Sequence, residues 1–451
     1  MLTAENGVAI SHSLLERLSD ARRHSDALFS LVHDDALYER PIPERHRVIF
    51  YVGHLEAFDW NLLNESIAGV ESTHPEFDRL FAFGIDPVGG GLPTDTPSDW
   101  PSLEAVRDYV RNIRGVLDQH LETAIRAPDA ETRDGFPLRT LLNVAIEHRL
   151  MHVETLAYML HQLPFHVKVS PNRQRTLRDL SGVAIEPDTI AIPAGIVTLG
   201  LPRDLQNFGW DNEYEAHTSE VVGFTIDKYK VTSGQYLEFM AAGGYEKQAF
   251  WSDEDWAWKS AQKISHPLFW RKEDNRWLYR TMFDDVPLPL DWPVYVSQAE
   301  ATAYARWAGK SLPTEVEWQH AAYGSADGAI RAYPWGDQPP DGEAGKKLGN
   351  FDLRDWDPKP VNASPQGQSA FGVHDMLGNG WEWTSSVFGP FPGFKAFPFY
   401  KGYSADFFDG KHFVMKGGSS RTAACMLRRT FRNWFQAHYQ YVYAGFRCIS
   451  R

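Results

Sequence analysis

The sequence predicts a multidomain chain: an all-α four-helix bundle over residues 1–165, a linker over 166–190 and an α+β domain over 191–451. Three observations predict it. Apolar residues recur at helical spacing in four long stretches before residue 165. Beyond residue 190 short apolar runs are broken by Gly, Pro, Asn and Asp. Between these textures lies a proline-punctuated segment with Pro171, Pro187 and Pro193, and 451 residues suit two or three domains at roughly 100–200 residues each.

The first helix is expected over 11–32, where Leu14, Leu15, Leu18, Ala21, Ala27, Leu28 and Leu31 share a face. The second is expected over about 44–67, with Pro41 and Pro43 ahead of it as start signals. A loop over 84–100, rich in Gly89-Gly90-Gly91, Pro93 and Pro97, leads to a third helix over 102–123 that opens on Ser102 with Glu104 in its first turn. The fourth starts near Pro137 and stops near Leu163, before Pro164. Helices of this length with one long connection suit a four-helix bundle. In the second domain helices are expected only at 234–241, 298–309 and 315–323, the remainder being short strands and loops.

A net charge of −14 argues against nucleic-acid binding, which relies on cations to neutralise phosphates. No apolar run reaches the roughly 18 residues that cross a bilayer. The N-terminal residues lack the basic and apolar regions of a secretory signal, so a cytoplasmic protein is expected. Two cysteines, Cys425 and Cys448, cannot build a thiolate zinc site and are expected as buried thiols. The 16 Trp and 27 Phe are expected mainly in cores, with some free to wall a ligand.

The fourth helix reads Glu147-His148-Arg149-Leu150-Met151-His152-Val153-Glu154. Residues four apart stack on one helix face, with Cβ atoms about 5–6 Å apart, so two imidazoles can reach one metal from adjacent turns. Alone, such a pair is as compatible with a solvated stripe. A further histidine, His54, lies mid-helix between Tyr51-Val52-Gly53 and Leu55-Glu56-Ala57. A single His there reads as a core residue, but bundle cores are where facing helices assemble metal sites. Glu147 and Glu154 could accept the second ring N–H of a ligating imidazole, and Gly53 permits close helix approach. Three neutral nitrogens leave the metal open: zinc with a bound water, or iron with free positions for O2 and substrate.

His54 with the His148-x3-His152-x-Glu154 motif resembles the DinB-like domain of the EgtB/OvoA sulfoxide synthases. Residues from about 191 onward resemble the formylglycine-generating-enzyme (FGE)-type domain of the same proteins, a variant of the C-type-lectin fold. The stretches that carry this are Lys310-Ser311-Leu312-Pro313-Thr314-Glu315-Val316-Glu317-Trp318, Tyr333-Pro334-Trp335-Gly336, Val373-His374-Asp375-Met376-Leu377-Gly378-Asn379-Gly380-Trp381-Glu382-Trp383-Thr384, Lys416-Gly417-Gly418-Ser419 and Gly445-Phe446-Arg447. The resemblance implies an oxidoreductase that binds Fe(II) through His54, His148 and His152. It implies O2-dependent joining of a thiol or selenium donor to imidazole C2 of hercynine, the trimethylated betaine of histidine. It also implies substrate binding by Asn433 and Trp434, within Phe431-Arg432-Asn433-Trp434-Phe435: the amide can bond an imidazole edge and the indole face suits a quaternary ammonium.

The sequence departs from the EgtB pattern at three places. Met151 stands where Gln precedes the last ligand, Phe435 where an acidic residue reads γ-glutamylcysteine, and Phe391 where a catalytic Tyr precedes Pro392-Gly393-Phe394. Tyr400 is a candidate replacement for that phenol. The segment around Arg45-His46-Arg47 and the Gly89–Gly91 loop resemble the selenoneine synthase branch (SenA) or OvoA more than standard EgtB; the selenoneine branch, the preferred one, implies a selenosugar donor for ergothioneine-like chemistry with selenium. The alternatives are an ergothioneine-type hercynine sulfoxide synthase using cysteine or another thiol, a formylglycine-generating oxidase, which would need a closely spaced cysteine pair, and a non-catalytic ligand-binding module.

Overall fold

The computed structural model describes residues 2–82, 92–132, 135–170, 182–203 and 207–451, so the Gly89–Gly91 loop lies outside the described residues. The chain separates into two compact units, 1–173 and 174–451.

Unit 1 holds α1 (Leu2–Phe29), α2 (Val48–Ile67), α3 (Pro75–Leu80), α4 (Leu103–Ala124) and α5 (Leu138–Gln162). α1 packs on α5, while α2 packs on both α4 and α5. α1 spans Leu2–Phe29 rather than 11–32. Its expected last turn is drawn into extended pairing with the chain after α5, where Val32 bridges Lys168 and the Val169 N–H donates to the Leu31 carbonyl. α2 begins at Val48, not near Glu44, because Arg47 is an extended N-cap whose side chain donates to the Tyr38 carbonyl and to Asp95. α4 opens as expected, with the Ser102 hydroxyl accepting from the Ala105 N–H. The unexpected α3 is a short helix with Pro75 in its first turn, and it delivers Phe81 to the face of α2. Leu55, Leu63, Val106, Ile113, Leu117, Leu142, Val153 and Leu156 fill the bundle core.

Unit 2 contains β1 (Thr189–Ile192), β2 (Gly195–Leu199), β3 (His217–Val221), β4 (Phe224–Asp227), α6 (Ser233–Ala241), α7 (Asp253–Ala261), β5 (Trp270–Glu273), β6 (Arg276–Arg280) and β7 (Asp285–Pro287). These are followed by α8 (Gln298–Trp307), α9 (Glu315–Tyr323), α10 (Gly342–Gly345), β8 (Trp381–Val387), β9 (His412–Lys416), β10 (Asn433–Gln436), β11 (Ala444–Gly445) and β12 (Ile449–Ser450). The sheets are ordered β1-β4-β12, β10-β9-β8-β11, β2-β3 and β5-β6-β7. α6, α8 and α9 answer the expected helices, and α7 and α10 add to them. α7 was legible in principle, since Ser252 caps it by accepting from the Asp255 N–H and three acidic residues fill its first turn.

The FGE-like signatures are largely structural. Glu382, between Trp381 and Trp383, is fully buried and accepts from Lys230 Nζ (2.6 Å), Arg447 Nε (2.7 Å) and Trp318 Nε1 (3.0 Å). Those donors come from the β4–α6 connection, the Gly445-Phe446-Arg447 segment and α9, so one carboxylate ties together three of the motifs. The two cations hold its carboxyl down to about 2 against the opposing effect of burial. Gly380, just before it, has φ +113°, and a Cβ there would meet the Tyr295 ring at 2.6 Å. Of the cysteines, Cys448 is buried, but Cys425 is exposed, contrary to expectation. It sits in a surface turn after Ala423, not on an element that faces the core.

Candidate metal centre

Each of the three histidines lies on a long bundle helix: His54 mid-way along α2, His148 and His152 one turn apart on α5. All three are buried, at 5%, 2% and 2% exposure. One ligand nitrogen from each lies within 4.8 Å of the others, and His148 Nε2 and His152 Nε2 are 3.2 Å apart. Nitrogens bound at about 2.0–2.1 Å to one metal, at angles between octahedral and tetrahedral, sit roughly 2.8–3.4 Å from each other. The His148–His152 pair has this spacing and the His54 nitrogen lies within 4.8 Å of both, so the three residues fit a mononuclear metal.

The chemistry of the rings agrees with the geometry. His54 Nδ1 lies 2.7 Å from the Phe81 carbonyl, which can only accept, so Nδ1 carries the proton and Nε2 keeps its lone pair. That Nε2 is buried without a hydrogen-bond partner, an arrangement a metal ion would satisfy. Burial pushes the His54 imidazolium down to about 4, and burial followed by the neighbouring rings lowers those of His148 and His152. Neutral rings at neutral pH are what a divalent ion requires.

Aromatic rings wall the site. Phe50 stacks on His54 at 4.9 Å and Phe58 on His148 at 3.4 Å between centroids, one turn before and one turn after His54 on α2. Tyr51 lies 5.7 Å from the His152 ring. Gly53 does permit a close approach, but of the Phe81 ring rather than of another long helix: a Cβ at Gly53 would lie 2.5 Å from it. Glu147 and Glu154, expected as orienting acceptors, are buried on α5, while the hydrogen bond that fixes the His54 tautomer comes from a backbone carbonyl. Sequence reasoning had no signal for that carbonyl. It also passed over Arg149, which points between α2 and α5 and bonds Glu56 and Asp59.

In unit 2, β10 carries Asn433 and Trp434, both half-buried. Arg432 before them is clamped by both oxygens of Glu315 (2.8 and 3.0 Å) and by the Gly389 carbonyl (3.0 Å). Asn433 Oδ1 accepts from the Trp434 N–H at 2.8 Å, which leaves its Nδ2 hydrogens to offer a ligand. One face of the Trp434 indole is stacked on Phe388 at 4.1 Å. Phe391 packs beneath the Arg432 guanidinium at 4.0 Å and against His217, and Phe435 stacks on Tyr439 at 4.8 Å. Tyr400 adjoins Trp210 and Tyr403, and Tyr403 in turn touches Trp434.

Residues 178–451 match the family of sulfatase-modifying factor enzyme 1-like domains, and residues 17–156 match the DinB superfamily. A hercynine oxygenase of Mycolicibacterium thermoresistibile is 32% identical over 98% of this chain and 96% of its own length. The chain belongs to the hercynine oxygenase family. Another hercynine oxygenase, from Mycolicibacterium smegmatis, is 34% identical over 83% of both chains. The ergothioneine biosynthesis protein 1 of Neurospora crassa is 27% identical over 93% of this chain, which spans 55% of that longer protein. Family membership makes the chain an oxygenase by class, and among its described residues no helix is long and apolar enough to cross a membrane.

Proposed function

We propose that this member of the hercynine oxygenase family is a non-haem Fe(II) enzyme. In this reading it joins a chalcogen donor to imidazole C2 of hercynine at the expense of O2, with a selenosugar as the favoured donor. The observation that carries the reading is the convergence of three buried, neutral imidazoles in a chain similar to hercynine oxygenases along almost its whole length.

His54, His148 and His152 would hold the metal, and iron held there would supply the O2 activation and oxidising power that the coupling needs. The electron balance closes with O2 alone. Two electrons come from replacing the imidazole C–H and the donor's S–H or Se–H by a carbon–chalcogen bond, and two from oxidising the chalcogen, with water as the other product. Phe50 and Phe58, stacked on His54 and His148, would shield those rings from bulk water. Asn433 Nδ2 would donate to the lone-pair nitrogen of the substrate imidazole, and the Trp434 indole, with Phe388, Tyr403 and Phe407 around it, would offer the trimethylammonium an aromatic surface.

Two features support a donor other than γ-glutamylcysteine. Phe435, stacked on Tyr439, offers an aromatic edge and no charge, and Phe391 has no hydroxyl to donate a proton. The second reading, an ergothioneine-type synthase using cysteine or another thiol, is favoured by the names of the relatives. Aerobic incubation with Fe(II) and hercynine, offering a selenosugar, cysteine and γ-glutamylcysteine in parallel, separates the two by mass spectrometry of the adducts. A selenium adduct formed in preference is expected. A thiol adduct alone would move the donor to the second reading, and no adduct from any donor by iron-loaded protein would overturn the function.

A further inference from the structure

We propose that Arg149 is a positioning residue for the metal, a single guanidinium that sets the register of α2 against α5 on which the three ligands meet. The inference rests on the metal reading above. Arg149 lies between His148 and His152 in sequence, is fully buried, and reaches across to α2. Its Nη1 donates to Glu56 Oε1 (3.0 Å) and Ser25 Oγ (3.3 Å), and its Nη2 donates to Asp59 Oδ2 (2.7 Å) and the Leu55 carbonyl (3.0 Å). The α2 acceptors at 55, 56 and 59 begin one residue after His54. Glu56 is gripped a second time by Arg114 of α4 (2.7 Å), which also holds Asp26 of α1 through two bonds of 2.7 Å. One connected set of charges thus joins α1, α2, α4 and α5 beside the ligands.

Stability alone does not account for such a set. Replacing a buried ion pair by apolar groups of similar volume is often neutral or stabilising, because desolvation offsets the attraction. What a planar fork adds is geometric: it accepts few arrangements of its carboxylates. Apolar contacts between α2 and α5 would tolerate sliding. A one-residue slide carries His54 about 1.5 Å along the helix axis, several times the ligand-distance tolerance of roughly 0.2 Å.

The test is a Co(II) titration of the full-length protein, followed by its d–d absorption spectrum, alongside thermal unfolding. Variants are Glu56→Met/Asp59→Leu/Arg149→Met, Arg149→Lys, and His54→Ala as reference. The triple variant, in which Arg114 keeps Asp26 as its partner, is expected to remain folded yet bind Co(II) about 10–100-fold more weakly, with an altered spectrum. Wild-type affinity and spectrum in a folded triple variant would overturn the proposal. Should the triple variant not fold, Arg149→Lys decides. It keeps the charge and loses the fork, so a weakened, altered Co(II) site supports the proposal and an unchanged one refutes it. Failure of the wild-type protein itself to bind Co(II) more tightly than His54→Ala would instead overturn the metal reading on which the proposal stands.

Discussion

Replacing Gly53 with alanine is expected to damage the metal centre without touching a ligand. The new Cβ would lie 2.5–2.6 Å from three ring atoms of Phe81, where ordinary carbon contacts are about 3.5–4.0 Å, so the ring must retreat by roughly 1 Å. Phe81 is fully buried and hemmed by Phe50, Phe77, Trp100 and Tyr109, which leaves it nowhere to go without repacking. Overpacking of this kind costs about 1–3 kcal/mol. The same residue's carbonyl holds His54 Nδ1 at 2.7 Å, and a displacement of roughly 1 Å takes that contact beyond hydrogen-bonding range. Loss of an orienting partner lowers metal affinity by about 10–100-fold. The assay is anaerobic Fe(II) titration with thermal unfolding, applied to Gly53→Ala and to Gly53→Ala/Phe81→Leu. The single variant should lose both affinity and a few degrees of melting temperature, and the smaller leucine should restore the melting temperature at least in part. Wild-type affinity in Gly53→Ala would refute the coupling of Phe81 to His54.

Other outcomes follow from the same geometry. Phe58→Ala removes the ring stacked on His148, and a weaker, spectroscopically broadened Co(II) site is expected; an unchanged spectrum would show that the stack does not orient the ligand. Glu382→Gln leaves Lys230 and Arg447 buried around a neutral group, at a cost of about 3–5 kcal/mol, readable by denaturant unfolding; a change under 1 kcal/mol would contradict it. Because the Glu382 carboxyl is held at about 2 against an ordinary 4.5, its stabilisation is complete above pH 4.5 and is lost as pH falls towards 2, a loss the Gln variant should not show. Asn433→Ala removes the neutral hydrogen bond proposed to reach substrate, so KM for hercynine should rise about 2–10-fold with iron content unchanged; an unaltered KM would remove Asn433 from the site.

The long helices and the histidine spacing were legible because both are periodic: a pattern repeated over twenty residues announces α2, and an i, i+4 pair announces a shared face. The boundaries that moved did so for tertiary reasons, such as the pairing of Val32 with Lys168. α3 escaped notice because six residues are too few for a periodicity to show, although Pro75 marks its start. What surrounds the ligands was least legible. Glu56, Asp59 and Arg149 look like surface charges in a sequence, and only the fold reveals that they meet inside the bundle. The carbonyl of Phe81 has no sequence signature at all, since every residue carries one. In unit 2 the motifs around Glu382 announced the domain, but they mark its scaffold: the carboxylate holds buried cations. Arg432 is similar, a conspicuous charge in the segment proposed to bind substrate that proves to be locked by Glu315 and Gly389.

The central claim is that His54, His148 and His152 together hold one iron. Elemental analysis after anaerobic Fe(II) loading and gel filtration, on the wild-type chain and on each single His→Ala variant, tests it most directly. One iron per chain is expected in the wild type and less than about a tenth of that in each folded variant. Stoichiometric iron retained by any of the three variants would contradict the claim.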